Sequence, residues 1–152
     1  MNLENENNQF DSDPIVYEKV VFNIMLTSSC LNKKQSDALK PFGLTVQQYN
    51  ILRILKNFEG KSASVKLLTE HMVDKMSNAS RLVDKLISKK LVSKVESFND
   101  RRKVDVKVTK KGLEILDVAS KSLTHSISKN TTALSEMEVL QLSDLLDRLR
   151  AE

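Results

Sequence analysis

Between Ser77 and Ser88, steps of about 100° per residue collect Ser77, Asn78, Arg81, Lys85 and Ser88 on one side of a helix. Met76, Ala79, Leu82, Val83, Leu86 and Ile87 fall on the other side. The apolar side belongs to a core, because each buried Leu, Val or Ile contributes about 1.5–3 kcal/mol to anchoring the helix. The polar side offers chemistry suited to the edges of base pairs. A guanidinium donates to N7 and O6 of guanine, a carboxamide pairs with adenine, and a serine hydroxyl adapts to base or phosphate. A solvated helix face is the plain alternative, and the pattern alone leaves both uses open.

A second group of the same character follows. The run Glu96-Ser97-Phe98-Asn99-Asp100-Arg101-Arg102 is a polar hairpin tip, and with Lys103 it carries three consecutive cations. Such a tip reaches a phosphate backbone, or inserts an arginine into a narrow minor groove where the negative potential is enhanced. Asp100 opposes simple phosphate attraction, so its expected use is to orient a neighbouring arginine through a charge-assisted hydrogen bond. A solvated turn is again the alternative. Charge along the chain favours the first use: residues 61–111 hold 14 Lys and Arg against 6 Asp and Glu, while the rest holds 10 against 14. The net charge of +4 therefore conceals a cationic middle third between acidic arms, which suits a polyanion-binding module because neutralised phosphates release counterions.

The elements that must position these groups are legible in the caps and periods. Residues 1–12 are polar and Asn-rich and read as a disordered tail. Asp13-Pro14 opens a helix through Ile15, Val16, Val20, Val21, Ile24, Met25, Cys30 and Leu31, which ends near Lys40-Pro41-Phe42-Gly43. Thr45 with Gln48 makes a capping box for a second helix that turns Tyr49, Ile51, Leu52, Ile54, Leu55 and Phe58 to the core. Ser64 caps a short third helix, and Asp74 is expected to cap a fourth running to about Lys90. The short connection between these two is that of a helix-turn-helix. The period then falls to two: Leu91, Val92 and Val95 form one strand, and Val104, Val106 and Val108 alternate with charged residues in another. Thr109 caps a long helix through Leu113, Leu116, Leu123 and Ile127, and Ser135 with Glu138 opens a last one.

The expected fold class is therefore mainly α with a small β-hairpin: a winged helix-turn-helix domain over residues 44–111, flanked by dimerising helices at 13–43 and 112–152. With 3 Gly and 2 Pro among 152 residues, the chain has too few turn formers for a many-stranded barrel or a glycine-rich phosphate loop. Its terminal helices carry more apolar positions than so slim a core covers, which calls for a second copy.

Other chemistries find little support. There is no nucleophile motif and no pair of carboxylates facing a cleft, so no enzyme is expected; Asp144 and Asp147 read as salt-bridge partners of Arg148 and Arg150. Cys30 with the isolated His71 and His125 lacks the clustering of a zinc site, and neither metal nor cofactor is expected. Cys30 reads as a buried small residue, with a redox sensor as its alternative. The acidic start is unlike a signal peptide and no apolar run spans a membrane, so a cytoplasmic protein is expected.

The run Ser77-Asn78-Ala79-Ser80-Arg81-Leu82-Val83-Asp84-Lys85-Leu86, then Lys90-Leu91-Val92, Asp100-Arg101-Arg102 and Val106-Lys107-Val108-Thr109-Lys110-Lys111-Gly112, resembles the MarR family of bacterial winged-helix transcription regulators. Leu44-Thr45 and Tyr49-Asn50-Ile51-Leu52 resemble the start of that family's second helix. Val73-Asp74 and Lys75-Met76 depart from its usual turn. The resemblance implies a homodimer on duplex DNA, with Ser77, Asn78, Ser80 and Arg81 facing the major groove and Arg102, supported by Asp100, entering the minor groove. It also implies a small-molecule effector held between the dimerising helices and the winged module. The function expected is a sequence-specific repressor on a pseudo-palindromic operator, released by a small phenolic or other aromatic ligand. A winged-helix protein-interaction module and a Cys30-based redox-responsive regulator are the alternatives.

Overall fold

A computed structural model describes residues 14–97, 100, 102–131 and 133–151. The expected tail and the Asp13 cap lie outside these residues. The chain divides into two compact units, one ending at Lys33 and the other beginning at Lys34.

The first unit is the greater part of helix α1 (Pro14–Leu39). Ile15, Val16, Tyr17, Val20, Val21, Phe22, Met25 and Leu26 are all exposed along it. Cys30 is exposed as well, against the expectation of a buried small residue. It lies on the stretch of α1 where apolar side chains of every size are uncovered.

The second unit begins with the last turn of α1 and a 3-10 turn, Lys40–Phe42, where Pro41 stops the α-helix. Gly43 closes this turn in the left-handed region, at φ 65°, and its N–H reaches the Lys40 carbonyl. Helix α2 (Val46–Asn57) opens with the Thr45–Gln48 capping box and buries Ile51, Leu52, Ile54 and Leu55. Helix α3 (Val65–His71) is capped by Ser64, whose hydroxyl accepts the Leu67 N–H at 3.1 Å. Helix α4 (Ala79–Ser88) buries Ala79, Val83 and Leu86 against them.

Strands β1 (Val92–Glu96) and β2 (Val104–Val108) pair antiparallel, with Val92 opposite Val108 and Glu96 opposite Val104. Val106 and Val108 are buried as their alternation demands, whereas Val104, next to the tip, is 56% exposed because no core extends that far. Helix α5 (Lys110–Thr131) starts under the Thr109 hydroxyl, which accepts the Gly112 N–H at 3.0 Å. It buries Leu116, Ala119 and Leu123 but leaves Ile127 largely exposed. Helix α6 (Glu136–Arg150) has the Ser135–Glu138 capping box and buries none of its residues. The hydrogen bonds from Ser135 hold the Glu138 carboxyl below the usual carboxylate range.

The fold is thus mainly helical with a two-stranded antiparallel hairpin, and the core lies among α2, α3, α4, the hairpin and the first half of α5.

Candidate nucleic-acid interface

The fourth helix begins later than its pattern suggested. Asp74 does not cap it. The Asp74 carboxylate instead accepts the Met76 N–H at 3.0 Å on one oxygen and the Ser77 hydroxyl at 2.7 Å on the other. The Ser77 N–H also reaches the Asp74 carbonyl at 3.3 Å. Asp74 therefore closes a turn of its own, and the bonds from Ser77 first and Met76 second hold its carboxyl below the usual range. The cap of α4 is Asn78, whose Oδ1 accepts the Arg81 N–H at 3.0 Å. One consequence is a correction: Met76, placed on the apolar side by counting, precedes the helix and is 95% exposed.

From Asn78 onward the expected division holds. Ser80, Arg81 and Lys85 are exposed on α4, while Leu82 and Ile87 are half-buried beside the core. Ser77 is half-buried in the preceding turn with its hydroxyl engaged by Asp74. Ser88, at the far end of the polar face, donates its hydroxyl to the Lys85 carbonyl at 2.7 Å. The hydrogen-bonding groups not spent on the helix itself are thus concentrated at Ser80, Arg81 and Lys85.

At the hairpin, the Asp100 Oδ1 accepts the Arg102 backbone N–H at 3.0 Å, and its other oxygen stands 3.7 Å from the Lys103 ammonium. The Lys103 N–H reaches the Asp100 carbonyl at 2.8 Å, and the Ser97 N–H reaches the Lys103 carbonyl at 3.0 Å. Asp100 therefore fixes the backbone on which Arg102 stands rather than gripping its guanidinium. Arg102 and Lys103 are exposed. Arg101 lies outside the described residues.

Several residues that position this surface carried no sequence signal. Ala63, just before α3, exchanges two backbone hydrogen bonds with Val106, at 2.9 and 2.8 Å, which adds a third short edge to the hairpin and ties helix-turn-helix to wing. Lys94 on β1 lies 3.5 Å from Asp84 on α4. Lys89, just past α4, donates to the Gly43 carbonyl and, at 3.0 Å, to the buried Gln48 side chain, so the capping residue of α2 also anchors α4. Pairings across about forty residues leave no trace in local periodicity. At the other end of the wing, the Thr109 hydroxyl donates to the carbonyls of Lys90 and Leu91, and the Thr109 N–H also reaches Leu91 at 3.0 Å.

Helix-turn-helix and wing are thus tied together within one packed unit, and each carries exposed cations. Residues 33–119 match the family described as transcriptional regulator SarA/Rot. The chain belongs to that family. SarA/Rot proteins are transcription regulators, not enzymes. Transcriptional repressor MprA of Escherichia coli (strain K12) is 26% identical over 132 residues, covering 83% of this SarA/Rot-family chain and 75% of MprA. Among curated relatives the match spans from 42% of one regulator's own length to that 75%. A MarR-like transcription regulator from Bacillus cereus ATCC 10987 superposes with a TM-score of 0.79 at 21% identity, covering 90% of this chain and 96% of that one. The organohalide-sensing regulator RdhR-CbdbA1625, in its 2,4-dichlorophenol-bound form, gives 0.79 at 19% identity, over 99% and 88% of the two chains. The SarA/Rot regulator therefore shares the MarR-like winged-helix fold, and among its described residues no helix is long and apolar enough to cross a membrane.

Proposed function

We propose that this SarA/Rot-family regulator is a homodimer that binds duplex DNA in a sequence-dependent way, acts as a repressor, and is released by a small aromatic, phenol-like molecule. The observation that carries this reading is that Ser80, Arg81 and Lys85 on α4 and Arg102 and Lys103 on the wing are all exposed on one packed unit. Ser77 holds the turn before α4 and Asn78 its first turn, so the two set the approach of the helix, and Asn78 keeps its amide N–H groups for a base or phosphate. Asp100 positions Arg102, and Arg101 is proposed as a further phosphate contact.

Dimerisation is supported by apolar surface. Helix α1 exposes the residues named above, and α6 exposes Met137, Val139, Leu140, Leu142, Leu145 and Leu149. Surfaces of this kind meet a second copy, and two-fold symmetry then calls for a pseudo-palindromic operator with half-sites about one helical turn apart. The proposed domain plan follows: dimerising helices over residues 13–43 and 112–152 around a DNA-binding domain over 44–111. Repression is supported by the kinship with MprA, and the phenolic effector by the dichlorophenol in RdhR-CbdbA1625. The site of action is the cytoplasm, where a bacterial promoter lies.

The test is affinity for a duplex selected from a random library. Arg81→Ala and Arg102→Ala are each expected to weaken binding by about 1–3 kcal/mol, and the wild-type affinity to fall steeply with salt. A module that binds protein would tolerate both substitutions, and that result would overturn the proposal.

A further inference from the structure

Val73 and Met76 are the two most exposed large apolar side chains among the described residues, at 85% and 95%. Single exposed apolar residues are ordinary and call for no explanation. These two differ in where they stand and how they are held. Most of the other strongly exposed apolar residues lie along α1 and α6, where the proposed second copy would cover them, while Val104 stands beside the wing tip at 56%. Val73 and Met76 sit in the connection between α3 and α4, immediately before the polar face that ends in Arg81 and Lys85. The connection is held in shape: three hydrogen bonds to Asp74, from the Met76 N–H, the Ser77 hydroxyl and the Ser77 N–H, fix the backbone that carries Met76. Between them lie Asp74, whose carboxylate is taken up by the turn, and Lys75; Arg81 comes one helical turn further on, and the segment from Lys61 to Lys111 holds 14 basic residues against 6 acidic ones.

An apolar side chain framed by cations needs a polyanion that also presents an apolar group. In the major groove of duplex DNA the group of that kind on a base edge is the C5-methyl of thymine. We infer that Met76, supported by Val73, reads a thymine methyl next to the bases contacted from α4. The inference rests on the DNA-binding reading above and adds to it a base preference that neither Arg81 nor Lys85 supplies. Methionine suits the task because its unbranched thioether adapts to an irregular apolar surface. The Asp74 turn is then a positioning device: it holds the backbone of Met76 at the mouth of the groove while its own carboxylate is occupied.

The experiment uses the full chain and a duplex that it selects from a random library, with each thymine replaced in turn by uracil, which lacks only the methyl group. Removing the methyl at one such thymine in a single half-site is expected to weaken wild-type binding about fourfold, the factor that corresponds to burying one methyl-sized group. Met76→Gln is expected to bind the thymine and uracil duplexes equally, with an unchanged salt dependence, and Met76→Leu to keep the difference. A flat uracil scan, or a Met76→Gln protein that still distinguishes the two, would overturn the inference while leaving DNA binding intact. Failure to select any sequence over random duplex would instead overturn the DNA-binding reading, and this inference with it.

Discussion

At the scale of single residues, the main surprise is how two of the six acidic side chains in the basic segment are used. Asp74 and Asp100 both accept a backbone N–H two residues on, from Met76 and from Arg102. This local turn chemistry suits Asp and Asn equally, because the acceptor is one side-chain oxygen and charge is secondary. The sequence suggested that Asp100 orients a neighbouring arginine head group; among the described residues its Oδ1 braces the Arg102 backbone. The two roles separate experimentally. Asp100→Asn keeps the acceptor and sheds a negative charge near phosphate, so DNA affinity is expected to stay within about twofold or rise. Asp100→Ala loses the brace, and affinity is expected to fall by about 1 kcal/mol, the size of an ordinary hydrogen bond. Titrating a selected duplex against both variants decides it. Equal losses would favour the charge-based role.

At the scale of elements, the junction of wing and α5 leaves no room for a side chain at Gly112. A Cβ added at Gly112 would lie 2.1 Å from the Leu91 carbonyl oxygen and 2.9 Å from a Val108 methyl. The obstacle is backbone that Thr109 already ties down, so it has little room to shift. Gly112→Ala is expected to cost at least the ~1–3 kcal/mol typical of overpacking. For a chain of this size that lowers the melting temperature by roughly 3–10 °C. An unchanged melt by circular dichroism would contradict the described junction.

Much else at this scale was readable in advance. The caps at Thr45, Ser64, Thr109 and Ser135 lie where their hydroxyls predicted, because a cap is a bond between neighbours in sequence. The start of α4 was misread because Asp74 and Asn78 are both good caps, and only the turn decides which one serves. Ala63 on Val106 and Lys89 on Gln48 were not readable, since nothing local marks a pairing made across the fold. The polar face of α4 was recognised from Asn78 onward, while Ser77 and Met76 were counted as helical although the backbone there turns.

At the scale of the whole molecule, the chain carries a cationic winged unit together with helices whose apolar faces are uncovered in one copy. Helix α6 has internal ion pairs, Arg148 with Asp144 and Arg150 with Asp147, that keep one side polar while its leucines remain exposed. An amphipathic helix with no buried residue gains little from its own chain, so the proposed dimer is what gives α6 a role. The same dimer sets the spacing of two recognition helices and hence the symmetry of the DNA. Hydroxyl-radical footprinting of the full chain on its selected duplex tests both parts at once. Two protected windows related by a dyad and centred about one helical turn (~10 base pairs) apart are expected, and both should fade together in Arg81→Ala. Protection no stronger than on random duplex at low ionic strength, or a single unpaired window, would contradict the account.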